Sequence, residues 1–136
     1  MAAGPPTHNT AVYLHGDVHA NNVLFHGDEV NMIDFDQSGS GAASADLGSM
    51  LASLMTLRLV DPDAAVEGLG AAFLDGYSAV RPWPSTTELS WYTAAACVAE
   101  RAIRAVNRVN LPVLEVLPQV LEMAEATLAG KVGLDG

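Results

Sequence analysis

The stretch from Leu14 to Asp36, LHGDVHANNVLFHGDEVNMIDFD, limits the fold most, because it crowds three spaced polar anchors into a segment with room for little besides a loop and a hairpin. Asp17 follows His15-Gly16, Asn22 comes five residues after Asp17, and Asp34 comes twelve after Asn22. Between Asn22 and Asp34, Val23-Leu24-Phe25 and Val30 to Ile33 flank the turn-forming His26-Gly27-Asp28-Glu29, which predicts a two-stranded hairpin. Folding back at Gly27 and Asp28 returns Asp34 to the neighbourhood of Asn22. Both side chains offer oxygen, the donor a hard cation requires. Asp34 also sits between Ile33 and Phe35 at an apolar strand end, where a carboxylate costs free energy unless it is paired or metal-bound.

Downstream the pattern is helical. From Asp46 onward Leu47, Met50, Leu51, Leu54, Met55 and Leu57 recur largely on one face, with Ser44 placed to cap and Asp46 in the first turn. Asp61-Pro62 combines a capping side chain with proline at a first helical position and predicts a second helix, ended by Arg81-Pro82-Trp83-Pro84. Ser85 and Glu88 form a capping box that opens a third helix to about Val109. Pro112 to Ala129 predicts a fourth, with Pro118 as a kink and Gly130 as its stop. The expected fold class is α+β, mainly α-helical, with a short β-hairpin followed by four helices. Residues 1–10 are a flexible lead-in, 11–130 one domain and 131–136 a tail. Within that domain the polar loop spans 14–22, the hairpin 23–34 and the helices 46–130.

Charge narrows the function. A net charge of −10 with six Lys and Arg argues against nucleic acid and against anionic membrane surfaces, both of which need clustered basic side chains. The same acidity favours a cationic or amine-bearing small molecule. The single Cys97 excludes an internal disulfide and suits a reducing compartment. The N-terminal MAAGPPTHNT has no basic region followed by an apolar stretch, and no apolar run is long enough to span a bilayer, so a soluble cytoplasmic protein is expected.

HGDVHANNVLF, MIDFD and ADLGSML together resemble the large-lobe signature of the aminoglycoside phosphotransferase and choline kinase-like family, a protein-kinase-like group, over most of the chain. The resemblance implies the C-terminal lobe of a kinase-like phosphotransferase, which moves a phosphoryl group from ATP or GTP to a hydroxyl of a small molecule. It implies that Asp17 is the catalytic base and that Asn22 and Asp34 bind the cofactor Mg2+ on the nucleotide phosphates. Asn21 is adjacent but lacks the offset from Asp17. By the same resemblance His15 braces the loop, His19 contacts phosphate or caps the turn, and Asp46 organises the active-site loops.

The departures from that family pattern concern the donor. Lys131 is the sole lysine, and Gly39-Ser40-Gly41 lacks the third glycine and flanking strands of a phosphate-covering loop. The nucleotide is therefore expected to be held mainly by a second protein chain, in a heterodimer. Two alternatives stand beside this expectation: a non-catalytic kinase-like interaction subunit of a heteromeric complex, and a complex transferring another group, such as sulfuryl, to a hydroxyl. Arg101, Arg104 and Arg108 share a helix face by their spacing. They read either as a solvated face, with Glu100 pairing to Arg104, or as a site for an anion or an acidic partner.

Overall fold

The computed structural model describes residue 4, residues 10–82 and residues 84–131. The lead-in expected over 1–10 and the tail expected over 131–136 lie almost wholly outside those residues. Strand β1 (Val12–Leu14) enters the polar loop, a 3-10 turn at Ala20–Asn22 closes it, and β2 (Val23–His26) and β3 (Glu29–Met32) form a hairpin. Val23 lies opposite Met32 and His26 opposite Glu29, with the reversal at Gly27, whose φ of 60° suits a residue without a side chain. A further strand, β4 (Gly39–Gly41), pairs antiparallel with β1 where the sequence reads as a loop. Its Gly-Ser-Gly composition has no strand propensity, so the pairing rests on main-chain bonds to β1.

The helical part comprises α1 (Ala43–Val60), α2 (Leu69–Ser78), α3 (Thr86–Ala96), a π-helical turn at Cys97–Ile103, α4 (Arg104–Arg108), α5 (Leu111–Glu115) and α6 (Leu117–Leu128). Helix α1 is the hub, and every residue from Leu47 to Ala52 is buried, so it is covered on more than one side. Leu47 and Leu51 pack with Leu74 of α2 and Leu89 of α3. Ala52 packs instead with Ala94, Ala96, Cys97, Val120 and Ala124, where small side chains let the helices approach closely. Burying Leu51 and Leu89 contributes about 1.5–3 kcal/mol each. Burial also pushes the Cys97 thiol up to about 11, so it stays protonated at neutral pH and acts as packing.

Gly48 is the closest point between α1 and α3. A β-carbon there would lie 2.7 Å from the Tyr92 carbonyl carbon and 2.8 Å from the Thr93 nitrogen, both main chain. Gly48→Ala is therefore expected to destabilise the fold by about 1–3 kcal/mol, even though alanine is the better helix former. Denaturant titration checks this; an unchanged or raised midpoint would contradict it.

Several helix boundaries differ from the sequence reading. Helix α1 starts after Ala42, which leaves Ser44 inside the helix, and its hydroxyl donates to Glu88 Oε1 at 2.8 Å instead of capping. Asp61 ends α1 and does not begin the next helix: its N–H donates to the Leu57 carbonyl at 2.8 Å, and its carboxylate accepts the Asp63 N–H at 3.2 Å. Helix α2 begins only after Gly68, which holds a φ of 74°. Ser85 caps α3, accepting the Glu88 N–H at 3.2 Å. The third helix is continuous to Arg108 but widens through the π-helical turn, and the fourth divides at Val116, ahead of Pro118. Among the described residues no helix is long and apolar enough to cross a membrane.

Candidate active site

The polar loop is pinned to α1 before any catalytic group is placed. The Asp46 carboxylate, in the first turn of α1, accepts the His15 N–H at 2.7 Å and the Gly16 N–H at 3.0 Å. Both bonds are charge-assisted, and a helix start favours the carboxylate's negative charge. Gly16 has a φ of 87°, and a β-carbon there would occupy the space of the Gln37 carbonyl, so only glycine fits.

His15 ties the loop to the segment after the hairpin. Its Nδ1 accepts the Asp17 N–H at 3.2 Å, and its Nε2 donates to the Ile33 carbonyl at 2.8 Å. Only the tautomer protonated at Nε2 satisfies both bonds. The ring also packs against Phe35, with centroids 4.5 Å apart, and it is buried. With both nitrogens engaged, His15 has none left for a cation.

Asp17 and Asn22 meet directly. Asn22 Nδ2 donates to the Asp17 carbonyl at 2.9 Å and lies 3.5 Å from its carboxylate Oδ2 and 3.2 Å from His19 Nε2. Every one of these contacts uses the amide nitrogen, so among the described residues Oδ1 of the buried Asn22 has no protein partner. The two Asp17 oxygens differ. Arg104 Nη1 donates to Oδ1 at 3.2 Å, whereas Oδ2 has only the long contacts to Asn22 and to His19 Nε2, each 3.5 Å. Oδ2 is thus the oxygen with capacity to accept a proton. The sequence reading paired Arg104 with Glu100; instead Glu100 accepts from Ser49 at 2.8 Å and lies 3.6 Å from Arg101. His19 opens the 3-10 turn without capping it, because its ring turns toward Asp17 and Asn22.

Asp34 is brought close by the main chain. The Ile33 N–H donates to the Asn22 carbonyl at 3.0 Å while the Ile33 carbonyl receives His15, so the peptide ahead of Asp34 is held from two sides. Asp34 itself takes a φ of 64°, a region aspartate tolerates better than most residues and one that clusters at functional sites. Its side chain is exposed and has no hydrogen bond or ion pair among the described residues. Desolvation is therefore not what makes it notable: Ile33 and Phe35 are 40% and 48% exposed, and the strand end does not bury the carboxylate. Asn22 Oδ1 and the Asp34 carboxylate are both oxygen donors, the type that a hard cation such as magnesium takes.

Beside this loop lies a cavity of about 370 Å³, lined by His19 and Asn21 on the loop side and by Thr56, Arg101, Arg104 and Arg108 on the helix side. Asp17 touches two of the lining residues, His19 and Arg104. Arg104 was visible in the sequence only as part of an arginine-bearing face; its contact with a residue 87 positions earlier was not.

Partial burial pushes the Asp17 carboxyl up, but the hydrogen bond from Arg104 and the electrostatic influence of His19 and Arg104 outweigh it and hold it below the usual carboxylate value. The lowered value means that this ionised group stabilises the fold fully above about pH 4, its unfolded value, and loses that contribution as pH falls through the folded one. Arg104→Gln is expected to raise the Asp17 titration midpoint, because burial then acts with less opposition. Carboxyl-carbon NMR follows it directly; a midpoint that stays in place or falls would contradict the assignment.

A profile of the Phosphotransferase enzyme family (APH) matches residues 1–83. No curated protein and no solved structure matches the chain. The matched span contains the loop, the hairpin, Asp34, the Asp46 clamp, α1 and α2. It covers more than half of the 136 residues, and the chain therefore belongs to the Phosphotransferase enzyme family.

Proposed function

We propose that this chain is the catalytic lobe of a small-molecule phosphotransferase that moves the terminal phosphoryl group of ATP or GTP onto a hydroxyl. The observation that carries the reading is the state of Asp17: clamped through Oδ1 by Arg104, left open at Oδ2, and set beside both a cavity and an amide with a free oxygen. The acceptor oxygen forms a bond to the γ-phosphorus as the bond to the β-phosphate oxygen breaks and the nucleoside diphosphate leaves. Asp17 Oδ2 orients the hydroxyl and takes its proton, an assistance that accompanies positioning and charge neutralisation in this class of reaction. Asn22 Oδ1 and Asp34 would hold Mg2+, which when bound neutralises charge on the phosphates. His15 and Asp46 position Asp17 without touching the reacting atoms.

The donor is expected to be gripped by a lobe on a second chain. Leu24, Phe25, Val30, Met32, Ile33 and Phe35 are all exposed on or beside the hairpin, and apolar surface of that kind suits a covering partner. Calorimetric titration with magnesium and ATP tests this half of the reading. The chain alone should bind weakly, near the millimolar range or above, and the assembled pair at least about tenfold more tightly. Micromolar binding by the chain alone would overturn the need for a second lobe.

A further inference from the structure

The charge of the whole chain and the charge of its cavity disagree. Three of the six Lys and Arg residues in a chain of net charge −10, namely Arg101, Arg104 and Arg108, line the cavity beside Asp17. Among the described residues Glu100 is the only acid in the lining, and with Asp17 added the cations still outnumber the acids three to two. A surface arginine stripe would be unremarkable, but this one is built inward. The Arg101 side chain is 18% exposed, and its Nε and Nη2 are buried with no hydrogen-bond partner among the described residues. Its nearest opposite charge, Glu100 Oε2, stands off at 3.6 Å and is itself without a hydrogen bond. The hydroxyl of Thr56, also lining the cavity and 4% exposed, has no hydrogen-bond partner among the described residues either.

Buried donors of this kind are normally satisfied, and a guanidinium fork matches the geometry of a carboxylate or a phosphate. Burial also lowers the Arg101 pKa, Glu100 opposing and Arg104 adding to the effect, which marks two like charges held together with incomplete compensation. The cavity volume, about 370 Å³, lies at the lower end of the roughly 300–1,000 Å³ typical of ligand sites and suits a small polar molecule.

We infer that the hydroxyl acceptor carries an anionic group, a carboxylate or a phosphate ester, seated against Arg101, Arg104 and Arg108 while its hydroxyl reaches Asp17. This rests on the phosphotransferase reading of Asp17, and it reverses the expectation of a cationic acceptor drawn from net charge. A cationic molecule would meet three arginines at close range, whereas an anion would balance the positive charge that Glu100 and Asp17 leave uncompensated.

The test is an NMR titration of the full chain without nucleotide, following the arginine Nε–H signals. The probes are D-glycerate, glycerol 3-phosphate, glycerol and ethanolamine. Saturable binding of either anionic probe is expected, the two telling carboxylate from phosphate, with glycerol and ethanolamine leaving the signals in place. Arg101→Gln should weaken the anion by about tenfold or more. Arg108 is exposed, so Arg108→Gln should fold normally and still weaken it by about threefold. Asp17→Asn should retain or tighten binding, because a neighbouring negative charge is removed. Ethanolamine binding as tightly as the anions, neither anion binding saturably, both arginine variants binding unchanged, or displacement of the anion by ADP would each overturn the inference. Because the titration reads binding alone and transfer is read separately by kinetics, the two readings fail separately. Anion binding alongside full transfer by Asp17→Asn would sink only the catalytic reading, and Asp17-dependent transfer to an uncharged or cationic hydroxyl would sink only this one.

Discussion

Asp17→Asn is expected to lower phosphoryl transfer by the proposed two-chain enzyme by about 10²–10⁴-fold while lowering the melting temperature only by the modest contribution of the ionised carboxylate. The asparagine keeps an oxygen for Arg104 and a similar shape, so the clamp on the loop survives in part. What disappears is a site that can hold the acceptor's proton. The loop's placement rests on other bonds, those of His15 and Gly16 to Asp46 and of Asn22 to the Asp17 main chain, and none of these involves the Asp17 side chain. Rate and stability should therefore separate, and steady-state kinetics beside thermal denaturation reads both. A variant of near wild-type rate would place the proton elsewhere and favour the non-catalytic alternative.

Asp46→Ala should show the opposite profile, a loss of structure that carries activity down with it. One carboxylate accepts two main-chain N–H groups, and bonds to a charged acceptor contribute about 1.5–3 kcal/mol each. Removing it leaves the His15 N–H and the Gly16 N–H unpaired beside α1, with no side chain to replace the acceptor. A destabilisation of about 3 kcal/mol is expected, on the order of 10 °C in melting temperature for a domain of this size. The first amides to exchange faster with solvent should be those of His15 to Asp17. Uniform loss of protection across α1 and α3 with the loop amides unchanged would contradict the clamp.

How far the sequence carried the fold depended on whether a feature was local. The hairpin was legible because Gly27 marks its turn and apolar runs flank it; Ser85 was legible as a cap because Glu88 follows at the right distance. Strand β4 was not, since Gly39–Gly41 carries no strand propensity and pairs only because β1 lies beside it. Asp61-Pro62 has the chemistry of a helix start, yet tertiary packing uses Asp61 to end α1. At the site, the spacing of Asp17, Asn22 and Asp34 singled out one segment, within which the structure joins Asp17 to Asn22 and sets the Ile33 peptide against Asn22. The contacts that Glu100 and Arg104 make lay beyond sequence reasoning. Helical spacing paired Glu100 with Arg104, while packing past the π-helical turn sends Glu100 to Ser49 and Arg104 to Asp17.

The most direct test of the account is phosphorus NMR of the chain assembled with the proposed nucleotide-binding lobe, supplied with ATP, magnesium and a panel of small hydroxyl compounds. The account predicts a new phosphate monoester that forms with magnesium, fails to form when magnesium is chelated, and is lost in Asp17→Asn. A monoester formed at the same rate by Asp17→Asn, or no monoester from any hydroxyl by an assembly that binds MgATP, would contradict it.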